Sequence, residues 1–179
     1  AANAGLIQTT PYPLYIQALG SAGGHEGIVV SAPGVPSGSF SVNFPDSTKN
    51  GWHHVALTCN NGQGQLYLDG ILADISLMNP PTGLTTELLL GARTANSGWQ
   101  GRLDELRIYT RKLDELDLGE IMEGTASSTT PDLQSYWKMD EEQGSKSFDV
   151  VSRNKLYFCG AAFDADRPPV RTSAMTNDD

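Results

Sequence analysis

The sequence predicts an all-β protein built as an antiparallel two-sheet sandwich, and three observations carry that expectation. Val55, Leu57 and Cys59 alternate with His54, Ala56 and Thr58, the period-two pattern of a strand that buries one face. Residues that tolerate positive φ interrupt the alternation: Asn60-Asn61-Gly62-Gln63-Gly64 before Gln65–Leu68, and Asp69-Gly70 after it. That pattern reads as a hairpin with a further strand beyond Gly70. Finally, 19 Gly and 10 Pro lie among short apolar runs, as in turn-rich β proteins. A chain of 179 residues is long enough for one ordinary sandwich and too short for two complete ones.

From the N-terminus, Pro11 and Pro13 bar a central strand before Leu14, so Leu14–Leu19 is the first expected strand. Residues 20–27 form a loop holding His25 and Glu26, and Ile28–Ser31 is a short apolar strand. Pro33, Gly34, Pro36 and Gly38 mark turns, after which Phe40, Val42 and Phe44 alternate with polar neighbours. Beyond the hairpin, Ile71–Ser76 is a strand closed by Asn79-Pro80-Pro81, and Leu88–Leu90 is an apolar run ending at Gly91. Ala92–Trp99 is a polar loop and Arg102–Tyr109 the next strand. A helix follows Lys112: Asp114 is the N-cap, and Leu113 and Leu118 have the spacing of a hydrophobic staple. Leu118, Ile121 and Met122 share one face, and Gly124 provides the stop. GTASSTTPD, residues 124–132, reads as a linker.

WHHVALTCNNGQGQLYLDG at 52–70, LLLGAR at 88–93 and WQGRLDELRIYTRKLDELDLGEI at 99–121 together resemble the laminin-G-like modules of the concanavalin A-like superfamily. Those modules show W-x-H-V-A, a Y-x-D-G turn, an L-x-I/L-G strand, and G-x-I/L-D-E-V-R-I-Y followed by a short helix. The resemblance implies a jelly-roll sandwich with one short helix. It implies little about activity, because the same sandwich hosts lectins, adhesion modules, pentraxins and glycosidases.

LQSYWKMDEEQGSKSFDV at 133–150 is similar to the stretch that opens such modules, yet here it follows the helix that closes them. Two readings fit. The segment folds back to complete the sandwich, a circular permutation, or it opens the next module of an array and leaves an edge for a partner strand. Fold-back is preferred, because a lone strand exposing Tyr136, Trp137 and Phe148 would be prone to aggregate. The expected organisation is a sandwich body over 1–124, a linker over 125–132, a closing segment over 133–168 and a flexible tail over 169–179.

A net charge of −9 without a Lys/Arg cluster argues against nucleic acid or an anionic membrane as partner. No apolar stretch approaches the length of a membrane span. No leader-like segment is seen, and Ala1 is expected to mark a processed or excised start. Cys59 and Cys159 are too far apart in sequence for a metal knuckle. They could pair outside the cell or stand as two small buried residues, with Cys59 inward by parity. The pentraxin disulfide uses a Cys where this chain has Ala56, so that precedent does not carry over.

Glu115, Asp117 and Glu120 satisfy E-x-D-x-x-E, which resembles the catalytic motif of family 16 glycoside hydrolases. In that motif two carboxylates share a strand face about 5 Å apart. Placed on the expected helix, they cap and solvate it instead. His53 and His54 are adjacent, so on a strand they point to opposite faces and do not form a ligand pair; Trp52 and His54 read as framework.

Calcium is the cofactor the resemblance implies, with Asp104 and Asp140 as candidate ligands, and Asp69, Glu141 and Asn96 as further oxygen donors. A structural role for Asp104 and Asp140 is preferred. The acidic loop of the pentraxin double-calcium site is ARTANSGW here, which argues against that site. Trp99, with Arg93 and Asn96 on the same loop, is the candidate ligand contact, because an aromatic face beside planar donors suits a sugar or a protein partner. The competing reading of Trp99 is core filler. Together these features predict a non-catalytic extracellular binding, adhesion or assembly module that recognises a glycan or a protein. The alternatives are a structural repeat of a surface filament or array, and a glycosidase using Glu115, Asp117 and Glu120.

Overall fold

Two Asx-Gly turns organise the first half of the chain. The structure, a computed structural model, describes residues 4–10, 14–19, 26–35, 40–45, 51–79, 87–91, 101–157, 162–166 and 168. β5 (Val55–Asn60) and β6 (Gln63–Leu68) are joined by Asn61 and Gly62, both at positive φ (49° and 77°). β6 is joined to β7 (Ile71–Leu77) by Asp69 and Gly70, again both positive (52° and 80°). Positive φ at both central residues is the type I′ geometry, whose twist matches that of the flanking strands. The pairs Val55↔Leu68, Leu57↔Leu66 and Cys59↔Gly64 therefore share one face of a three-stranded sheet.

That face meets a five-stranded antiparallel sheet of order β4-β3-β2-β1-β8, formed by β1 (Ala4–Thr10), β2 (Tyr15–Leu19), β3 (Gly27–Ser31), β4 (Phe40–Asn43) and β8 (Glu87–Leu90). Ile16, Ile28, Val30, Val35 and Phe40 from one side and Leu66 and Met78 from the other form the core, with Val55, Leu57 and Cys59 packed against it. Burying each such side chain stabilises the fold by about 1.5–3 kcal/mol. Between the layers, Ser41 N donates to Asp74 Oδ2 (3.0 Å) and Asn79 N to Pro33 O (2.8 Å). This is the antiparallel jelly-roll sandwich that the residues predict. One element departs from expectation. β1 is a central strand between β2 and β8, because Pro11 and Pro13 lie just past its end and terminate it rather than forbid it.

Residues 102–179 form a second compact unit, divided from 1–101 between Gly101 and Arg102. β9 (Leu106–Tyr109) falls in the second unit because it takes its partner from the C-terminal part of the chain. β9 pairs with β10 (Leu133–Trp137) in the register Leu133↔Tyr109 and Trp137↔Leu106. β9 is shorter than the expected Arg102–Tyr109, since Glu105 at φ 56° breaks the extended path. Within this unit Trp137, Tyr136 and Leu133 of β10 are buried, as are Leu113, Leu118 and Met139. β11 (Lys146–Phe148) and β12 (Lys155–Tyr157) form a hairpin, tied to β10 by the bridge Trp137↔Asp149.

Helix α1 (Glu115–Met122) begins in a capping box: Asp117 N donates to Asp114 Oδ1 (3.0 Å) and Asp114 N to Asp117 Oδ2 (2.8 Å). Gly124, at φ 70°, follows its end. The expected linker is held at both ends: Thr125 N and Ala126 N donate to Glu120 O, and Thr110 N to Asp132 O. Among the described residues, no helix is long and apolar enough to cross a membrane.

Candidate functional site

The acid motif is the first test. Glu115, Asp117 and Glu120 lie on α1, not on a strand. Five positions apart on a helix, Glu115 and Glu120 point about 140° away from each other. Asp117 is committed to structure. Besides the capping box, its carboxylate takes a two-pronged ion pair from Arg111, Nη1–Oδ2 at 2.6 Å and Nη2–Oδ1 at 2.5 Å. That hydrogen-bonded guanidinium lowers the Asp117 pKa to about 2. Arg111 also reaches Asp132 at 3.2 Å, fastening the chain before β10 to the helix start.

The two histidines divide as a strand-like backbone requires. His53 stacks on Phe44 at 4.4 Å with the rings nearly parallel, and its Nδ1 meets Asp69 Oδ2 at 2.8 Å. His54 N donates to Asp69 Oδ1 (2.9 Å), while Asp69 N donates to His54 O (2.8 Å). Asp69 thus ties the turn before β7 to the entry of β5. Sequence reasoning read Trp52 and His54 as framework and did not single out the His53 ring, whose signal was the aromatic at Phe44.

In the second unit, Arg107 on β9 lies over the Tyr136 ring at 4.1 Å, and its Nη2 donates to Tyr136 OH and Glu105 Oε2, both at 2.7 Å. Tyr136 OH donates to the same Glu105 oxygen. Burial, followed by that bond to Glu105, raises the Tyr136 pKa, so the hydroxyl stays protonated. The fully buried Asp149 accepts from Tyr136 N (2.9 Å), Val151 N (2.9 Å) and Ser152 Oγ. Burial alone would raise its pKa, but these donors outweigh burial and lower it. Glu141 Oε1 accepts from Ser147 Oγ and Phe148 N, both at 2.8 Å. These acids position strands.

Asp104 Oδ1 accepts from Glu105 N at 3.1 Å, and Asp140 O accepts from Glu142 N at 3.0 Å. Among the described residues, no three His, Cys, Asp or Glu side chains gather as a metal-binding set, so the side chains in view do not make the oxygen cage that calcium needs. Arg93, Asn96 and Trp99 lie outside the described residues. Cys59 carries a free thiol whose Sγ donates to Met78 O at 3.5 Å and whose pKa is raised by burial. Cys159 lies outside the described residues.

The large side chains on the surface contrast with these satisfied polar groups. Along β7, Ile71 (72 %), Ile75 (47 %) and Leu77 (62 %) stand exposed. On the β11–β12 hairpin, Phe148 and Tyr157 are exposed. Sequence reasoning missed both features, because it read Ile71–Ser76 only as a strand and expected Phe148 to be covered.

A family model described as the concanavalin A-like lectin/glucanases superfamily, of laminin G type, matches residues 12–118. The chain belongs to that superfamily. Among solved structures, the chain is similar to a "putative carbohydrate binding protein" from Bacteroides ovatus, with TM-score 0.63, 17% identity, 93% of this chain and 52% of that one covered. It also matches an S-layer domain-containing protein from Clostridium thermocellum, with TM-score 0.35, 23% identity, 58% of this chain and 54% of that one covered. At these identities the first likeness shows the fold. The chain spans about half the length of the solved structures it matches. No curated protein matches it.

Proposed function

We propose that this chain is a non-catalytic extracellular module that binds a glycan or protein ligand through surface side chains. One observation carries the reading. The carboxylates of Asp117, Asp149 and Glu141 are bound into a helix cap and strand contacts, and Glu115 and Glu120 point apart on α1, while large apolar and aromatic side chains stand in solvent. That allocation suits recognition, in which exposed apolar area is the working surface. The carbohydrate-binding description of the Bacteroides ovatus protein supports a glycan as one ligand class. Trp99, with Arg93 and Asn96, is the proposed loop contact; any calcium at Asp104 and Asp140 would need backbone carbonyls or water for most of its oxygens.

Calorimetric titration against a panel of neutral and acidic polysaccharides, with calcium and with a chelator, tests this reading, with released reducing sugar measured in parallel. Binding without sugar release is expected, and a Trp99→Ala variant is expected to weaken it. Sugar release that disappears in a Glu115→Gln variant would instead make the protein a glycosidase.

A second reading, assembly with neighbouring modules, is favoured by the exposed row on β7, an edge strand of its sheet among the described strands. It predicts sedimentation that depends on concentration and becomes monomeric when Ile75 and Leu77 are both changed to Lys.

A further inference from the structure

The geometry points to the outer face of the β11–β12 hairpin as a docking surface for a uronate-bearing polysaccharide, an inference that rests on the binding role proposed above. The register pairs Lys146 with Tyr157, Ser147 with Leu156 and Phe148 with Lys155. Residues opposite each other share a face, and so do residues two apart. Lys146, Phe148, Lys155 and Tyr157 therefore stand together on one side, and the buried Ser147 on the other. The contact of Lys146 Nζ with the Phe148 ring, 5.5 Å from its centroid, confirms the shared face. Glu141 braces the strand through Ser147 Oγ and Phe148 N.

The result is a checkerboard of two rings on one diagonal and two ammonium groups on the other, each diagonal spanning roughly 7–8 Å. Tyr157 is 65 % exposed and Phe148 37 %, so the rings offer faces on which the apolar side of a pyranose can stack. The ammonium groups beside them suit carboxylates carried by the same sugars.

Charge makes the choice of ligand specific. The chain is acidic overall at −9, yet Lys146, Arg153 and Lys155 all fall within residues 146–157. The one acid in that stretch, Asp149, is fully buried with its oxygens taken by backbone amides and Ser152. A neutral glycan would use the rings and leave the cations idle, whereas a uronate polymer uses both. A second copy of this acidic chain lacks the flat sugar face that the rings suit.

The test is calorimetric titration of the full chain with polygalacturonate and, as the neutral control, a β-glucan of similar length. Polygalacturonate is expected to bind more tightly than the β-glucan, and to weaken as salt rises. The double variant Lys146→Gln/Lys155→Gln is expected to weaken it roughly 5- to 10-fold, as two exposed ion pairs would. Tyr157→Ala is expected to weaken both polymers. All these side chains lie on the surface, and circular dichroism checks that the variants keep the fold. If polygalacturonate binds but neither variant changes its affinity, the proposed face is wrong while the glycan-binding role stands. If neither polymer binds, the proposal fails together with the glycan half of the binding role, and self-association alone, abolished by the same variants, would also overturn the proposal.

Discussion

Asp149 shows how a residue that looks catalytic can be wholly structural. It is a buried carboxylate, and its oxygens receive two backbone amides and a hydroxyl. Replacing it with Ala would strand Tyr136 N in the interior, at about 1–3 kcal/mol for an unsatisfied buried group, and would remove the bonds to Val151 N and Ser152 Oγ nearer the surface. A loss of about 2 kcal/mol, the middle of that range, is expected in urea unfolding of Asp149→Ala. The pH dependence follows from sign. The folded pKa values of Asp149 and Asp117 are lowered, Asp117 to about 2. Each therefore contributes stability above its unfolded pKa, and that contribution is lost as pH falls through the folded value. Stability is expected to drop as pH is lowered from about 4 to about 2, and Asp117→Asn should flatten that slope. A slope unchanged in the variant would mean the Arg111 pair does not hold the helix start.

At the level of elements, the two hairpin turns and the helix were legible because each is written in adjacent residues. Asn61-Gly62 and Asp69-Gly70 require positive φ and have it. The Asp114 cap and the Leu113/Leu118 pair appear as read, with both leucines buried. β1 was not legible, because its central place is set by β2 and β8, which no local pattern announces.

Glycines separate local from tertiary cost. A Cβ on Gly62 would meet nothing within 4 Å, so Gly62→Ala should lose only the strain of its turn, about 1–2 kcal/mol. A Cβ on Gly27 would lie 2.1 Å from Val42 O, so Gly27→Ala should push β3 and β4 apart and cost clearly more. Thermal unfolding of the two variants compares them directly. Equal shifts in Tm would contradict the close β3–β4 approach.

For the whole molecule, the superfamily could be read from motifs at 52–121, and the family match over 12–118 agrees with it. The candidate site was less legible. The expected contacts at Arg93, Asn96 and Trp99 fall outside the described residues, while the exposed rows on β7 and on the β11–β12 hairpin look from sequence like ordinary strand cores. Exposure of an apolar strand residue depends on what the other layer covers, and that is a property of the assembled fold. The fold-back reading makes a plain prediction. Truncation after Gly124 removes β10, the partner of β9, and should leave an insoluble chain. A soluble, fully folded fragment would show instead that residues 133–168 belong to another module.

The pairing of β9 with β10 also bears on how the protein is made. Leu106 waits for Trp137, and at ribosomal speed the interval between them takes roughly 2–6 s. During those seconds the nascent chain exposes an open edge, and α1, at eight residues, is too short to be stable without tertiary packing. Translation pace across residues 110–132, or a holdase that shelters the emerging strand, should therefore govern yield more strongly than any change in final stability.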